Sequence, residues 1–147
     1  QAEDGIRDRS PSRGLGDVYK RQPIDENLAK GKVKRVFNNI KKERKINAIP
    51  NFWKTIANDP DTLERTWNSL KDIMKKGALD PLIKEMIYIA VSMTNSCEYC
   101  IRSHSAAAKK KGMTDKMLKE LIAVVGMANE TNRLVESYQV EVDEFLK

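Results

Sequence analysis

Cysteine and histidine are scarce in this 147-residue sequence, which has two of the first and one of the second. Two cysteines are too few for the multi-bridge framework that staples small secreted domains. With a single histidine they also fall short of the four cysteine and histidine ligands of an ordinary structural zinc site, so only a carboxylate could complete one, and no metal is expected. Long apolar runs are missing too. The longest, residues 86–91, is far shorter than the roughly 20 residues that cross a bilayer as a helix. No secretory signal, internal repeat, nucleic-acid-binding motif or alternating strand pattern with hairpin turns is visible. A cytoplasmic protein with no membrane segment is therefore expected. In a reducing compartment, a lone cysteine pair points to catalysis rather than to a structural staple.

Charge is unbalanced but not extreme, with 27 basic and 21 acidic residues and a net charge of +6. Lys30, Lys32, Lys34, Arg35, Lys41, Lys42, Arg44 and Lys45 cluster, as they would on a helix that follows a phosphate backbone. Without a motif, such a run reads as a solvated face, so no nucleic-acid partner is expected. Lys109 to Lys111 have a local explanation, because cations are favoured at a helix C-terminus.

Residues 1–22 do not read as native protein. The first eight translate CAA GCA GAA GAC GGC ATA CGA GAT, and residues 13–22 translate CGT GGG CTC GGA GAT GTG TAT AAG AGA CAG. These resemble a sequencing flow-cell adapter and a transposase adapter end, in order and in one frame. Arg9, Ser10 and Pro11 stand where a sample index would be. This leader is expected to be disordered and is excluded from fold reasoning, and the native start is expected to be missing.

The rest reads as a single all-α domain over residues 23–147, a compact bundle of about six helices. A basic segment, residues 24–45, carries an apolar stripe of Leu28, Val33, Val36, Phe37 and Ile40. Pro50 opens a short aromatic segment with Phe52 and Trp53. Asp59-Pro60 opens a helix that contains Leu63, Trp67, Leu70 and Ile73 and ends before Gly77, and Asp80-Pro81 caps the next. Residues 95–111 read as a helix with Asn95 or Ser96 as N-cap and Gly112 just past its end. Thr114 caps a further helix, and a last one is expected over residues 132–147.

All three scarce residues fall together. Cys97, Cys100 and His104 form a C-x-x-C-x-x-x-H run, and two cysteines scattered at random over this length would take that spacing roughly once in seventy tries. Residues three and four apart share a helix face, so the three form one stripe. The positive end of the helix dipole favours a thiolate there, and thiolate is the reactive form. Glu85 lies on the preceding helix, near its apolar set. It can act as a general base if the turn folds the cysteine helix back against it. Two inert buried cysteines would explain the pair but not the histidine beside it.

The run Glu85, eleven residues, Cys97-Glu98-Tyr99-Cys100, three residues, His104, continuing through SAAAKKKGMTDKMLKELIAVV, resembles the core of the alkylhydroperoxidase D and carboxymuconolactone decarboxylase superfamily. The likeness covers about residues 50–133 and points to the peroxidase-type branch, since decarboxylase branches lack the cysteine pair. It implies that Cys100 is the peroxidatic thiol, Cys97 the resolving thiol, His104 a proton relay and Glu85 the general base. Peroxide would be the substrate and a dithiol protein or small thiol the reductant. No bound cofactor is implied, and a homo-oligomer, trimer or hexamer, is expected. Phe52, Trp53, Trp67 and the stripe near Phe37 offer apolar surface for such an assembly. The best-known hydroperoxidases of the family carry a second histidine between the cysteines where this chain has Tyr99. That departure points to a weaker relay, a different substrate or a thiol–disulfide oxidoreductase without a peroxide step; from a different class, a non-catalytic redox sensor or partner-binding protein is the other alternative.

Overall fold

A computed structural model describes residues 21–147, so nearly all of the adapter-like leader lies outside the described residues. These form six α-helices, α1 (Gly31–Arg44), α2 (Asn51–Ile56), α3 (Pro60–Met74), α4 (Pro81–Thr94), α5 (Glu98–Lys110) and α6 (Asp115–Ser137), with a 3-10 turn at Glu144–Leu146. The all-α expectation is met, and there is no strand among the described residues. The chain gathers into two compact units that divide inside α3, one ending at Lys71 and the other spanning Asp72–Lys147. No linker or shift in composition marks that division.

The first unit is built on aromatic packing. Val36, Phe37 and Ile40 recur at helical spacing on α1 and bury against Ile49, Trp53, Leu63 and Trp67. Trp53 and Trp67 meet edge to face at 5.4 Å, the arrangement their ring quadrupoles favour. The Trp67 indole N–H donates to Asn39 Oδ1 at 2.6 Å, which satisfies its polar edge inside the cluster. Leu28 was expected on this stripe, but it lies in the turn before α1 and is exposed. The basic cluster is partly paired, with Lys41 on Glu26 and Lys32 on Asp61 and Glu64.

The second unit holds the cysteines. Asp80 caps α4 by accepting from the Leu82 amide, with Pro81 at the first helical position. Three residues separate α4 from α5, so the two form a tight antiparallel pair. Ile89 and Ala108 are fully buried between them, together with Met113, and Met86, Met117, Leu118 and Leu121 pack around this cluster. Thr114 caps α6 through the Met117 amide. The early part of α6 thus lies along α4, and Asn129 farther on donates to Thr94 at the end of α4. α6 therefore runs in the same direction as α4 and continues past it.

Four helices stop in one way, each with a left-handed residue whose own amide and that of the next residue reach back to the last turn. The left-handed residues are Lys45, Ser96, Gly112 and Gln139. Gly112, at φ +98°, occupies the position expected of it. Ser96, at φ +54°, explains why neither Asn95 nor Ser96 caps α5. Both residues are used in ending α4: the Ser96 amide bonds Met93 O and the Cys97 amide bonds Ser92 O. The N-cap is Cys97, so α5 starts at Glu98.

The separate last helix does not form. α6 continues through residues 126–137, because Asn129 and Thr131 satisfy their side chains on the preceding turn of the same helix, at Val125 O and Met127 O, and nothing interrupts it. The apolar surface lies mostly elsewhere than expected. Phe52 is exposed, but Phe37, Trp53 and Trp67 are buried, and the other exposed apolar residues include Ile83, Ile87 and Val91 on α4 and Val140, Val142, Phe145 and Leu146 after α6.

Candidate active site

Cys97 and Cys100 are joined as a disulfide, with Cα atoms 5.4 Å apart. Their spacing makes this easy. Cys97 caps α5 and its sulfur accepts the Cys100 amide at 3.3 Å, so the backbone holds both side chains at the positive end of the helix. The same amides that end α4 fix Cys97, since its own N–H is bound to Ser92 O at 2.9 Å. Ser92 is buried and turns its hydroxyl back to Tyr88 O.

One helical turn beyond Cys100, His104 points across to α4. Its Nδ1 lies 2.6 Å from Glu85 Oε2. The other carboxylate oxygen, Oε1, accepts from Lys111 Nζ at 2.7 Å. Glu85 is only 5% exposed, so both of its oxygens are committed inside the protein. Burial opposes ionisation of this carboxyl, but the hydrogen bonds from His104 and Lys111 and their charges override it, and the pKa falls below that of an ordinary glutamate. A carboxylate that accepts at Nδ1 places the proton on that nitrogen and leaves Nε2 as the one that can exchange a proton. The Tyr88 ring stacks on the imidazole at 3.5 Å, with planes 17° apart, and so fixes its orientation.

The α4–α5 pair therefore brings Glu85 and His104 together and holds Cys100 one turn, and the N-cap Cys97 two turns, before His104 along α5. Sequence reasoning missed two neighbours. Lys111 lies seven residues after His104, two helical turns along the same face, and Tyr88 lies three after Glu85. Lys111 is thus more than a cation at a helix end. Both cysteines open into a cavity of about 560 Å³ between α4 and residues 73–79, with Tyr88 and Ser92 in its wall. Its remaining lining is mostly apolar, including Ile73, Met74, Leu79, Ile87 and Val91. Among the described residues, no three His, Cys, Asp or Glu side chains are grouped to hold a metal ion, and no helix is long and apolar enough to cross a membrane.

A paired-cysteine site on an antiparallel helix pair, backed by a buried Glu–His couple, agrees with the match of residues 60–140 to the carboxymuconolactone decarboxylase family. The chain belongs to that family. Among solved structures, it is similar to the alkylhydroperoxidase AhpD core from Rhodospirillum rubrum, at 46% identity and a TM-score of 0.82, covering 87% of this chain and 97% of that one. A protein of Paracoccus denitrificans described as uncharacterized protein 4 in the cox locus is 35% identical over 54 residues. That alignment takes in 37% of this chain and 49% of the relative, so the chain spans about half the length of that protein.

Proposed function

We propose that this protein reduces organic hydroperoxides with a Cys97–Cys100 dithiol, as an alkylhydroperoxidase-type enzyme. The observation that carries this reading is the buried Glu85–His104 pair at 2.6 Å, one turn from Cys100 on a helix whose N-cap is Cys97. The likeness to an alkylhydroperoxidase core adds weight. His104 Nε2 takes the Cys100 thiol proton, and Glu85, acting as base through the imidazole, balances the resulting charge. The Cys100 thiolate then attacks the terminal peroxide oxygen. An S–O bond forms, the O–O bond breaks, and the alkoxide leaves with the proton from His104 as an alcohol. Cys97 attacks the sulfenic sulfur, the S–S bond forms and water is released. An external dithiol supplies the two electrons that reopen the pair.

Cys100 is peroxidatic and Cys97 resolving in this scheme, no cofactor is bound, and the working form is a homo-oligomer. Loss of cumene hydroperoxide, followed in steady state with several dithiols, tests it. Turnover that depends on both cysteines is expected. Disulfide transfer to a model thiol with no peroxide consumption would select a thiol–disulfide oxidoreductase instead, the reading that Tyr99 favours through the missing second histidine. Neither activity would leave a redox sensor.

A further inference from the structure

The groove that opens over the disulfide is more apolar than a solvent-facing surface has reason to be. Ile73, Ile87 and Val91 on its walls are each about half exposed or more, as is Leu79 to nearly that degree. One charged side chain lines it. Lys84 Nζ donates to Ile73 O at 2.6 Å and Lys75 O at 2.8 Å, which ties the end of α3 to α4. No carboxylate among the described residues forms an ion pair with it, so its charge is left without a counterion inside the wall.

A segment with the opposite character lies unused at the other end of the same unit. Residues 140–146 read Val-Glu-Val-Asp-Glu-Phe-Leu, with the apolar side chains of Val140, Val142, Phe145 and Leu146 57–84% exposed. Glu141 and Asp143 give it the negative charge that would pair with Lys84, while Glu144 is already paired with Lys147. In its own chain the segment is carried away from the groove. α6 runs along α4 only as far as the Asn129–Thr94 contact and then continues for about two more turns, roughly 12 Å, before the segment begins.

We propose that residues 140–146 of a second copy of this chain lie in the groove between α4 and residues 73–79, with their acidic side chains toward Lys84 and their apolar ones against Ile87 and Val91. This covers the Cys97–Cys100 disulfide from outside, so the redox pair of one copy is walled by the tail of another. Apolar patches on both partners are removed from water together, which the isolated chain cannot achieve.

Three measurements test the arrangement without reference to any activity. Light scattering of the full chain should give a multiple of the monomer mass, and Phe145→Asp with Val142→Asp should raise the half-dissociation concentration at least about a hundredfold, since two buried apolar contacts are replaced by charges. Both substituted residues are exposed, so circular dichroism should be unchanged. A photo-crosslinker at position 145, in a mixture of isotopically light and heavy protein, should join light to heavy chains at residues 73–91. The disulfide should also be reduced several times faster by a water-soluble phosphine in the double variant. Light-to-light crosslinks alone would place the tail in its own groove and overturn the proposal, as would a monomer mass for the parent or crosslinks that avoid α4. An assembly unaffected by the two aspartates would overturn it as well. Failure of peroxidase activity would leave every one of these results standing.

Discussion

Lys111→Met removes one of the two groups that keep Glu85 ionised while leaving the cysteines and His104 in place. Two unit charges about 4 Å apart attract by about 4 kcal/mol at the effective dielectric of a protein surface. The Lys111 side chain is 37% exposed, and water screens part of that attraction. Burying the carboxylate also offsets part of it. The net loss should therefore match that of a hydrogen bond to a charged group, roughly 1.5–3 kcal/mol. For about 125 residues this lowers the melting temperature by roughly 5–15 °C. Urea unfolding of the oxidised protein reads the free energy directly. The decisive comparison is a double-mutant cycle, because Lys111→Met made on a Glu85→Gln background should change stability by less than about 0.5 kcal/mol.

The pH dependence follows from the direction of the shift. Glu85 titrates lower in the folded protein than an unfolded glutamate does. The stability it contributes is thus complete above roughly pH 4.5 and is lost as the pH falls through its folded value. Without Lys111 that folded value rises, so acid unfolding of the variant should begin at higher pH, while Lys111→Arg should restore the parent profile. Equal losses on the parent and Glu85→Gln backgrounds, or an unchanged acid limb, would mean that Lys111 acts only as a cation at the end of α5.

Mass spectrometry after one equivalent of peroxide should find no sulfenic acid in Cys100→Ser and an accumulating sulfenic acid at Cys100 in Cys97→Ser; a stable sulfenic acid at Cys97 would reverse the two roles. His104→Asn should slow thiol oxidation by roughly a hundredfold in stopped-flow traces, yet still form the disulfide with a strong oxidant. Lys45→Gly should stabilise the protein by about 0.5–1 kcal/mol in urea melts, because Lys45 holds φ +52° at the end of α1 where glycine is unstrained. Trp67→Phe should cost about 1–3 kcal/mol by the same measurement, since it loses the indole bond to Asn39 within a packed cluster.

Helix type and most helix starts were legible because caps and periodicity are local. Asp80, Pro81 and Thr114 each do in the structure what their residue types dictate, and Gly112 takes the left-handed angle that glycine tolerates. Stops made by other residues were not legible. Ser96 adopts the same left-handed geometry without being glycine, and that single angle moves the N-cap of α5 from Asn95 or Ser96 to Cys97. The consequence is chemical, because a cysteine at the cap receives the amide that a serine would have taken. The division within α3 carries no composition signal: Leu63 and Trp67 of that helix pack into one cluster, and the other gathers around Ile89 and Ala108.

The site shows the same contrast between local pattern and tertiary pairing. Cys97, Cys100 and His104 share a stripe because helix geometry requires it, and the sequence spacing is enough to establish that. Glu85 reaches His104 only because three residues turn α4 back on α5, a fact of tertiary structure that no spacing along the chain contains. Once that pairing exists, the remaining members follow from helical arithmetic. Positions two turns beyond His104 and one turn beyond Glu85 must lie beside the pair, and they hold Lys111 and Tyr88. A buried carboxylate with two acceptor oxygens needs two donors, and the histidine supplies only one. Lys111 supplies the second, and that demand makes the lysine part of the site rather than part of the surface.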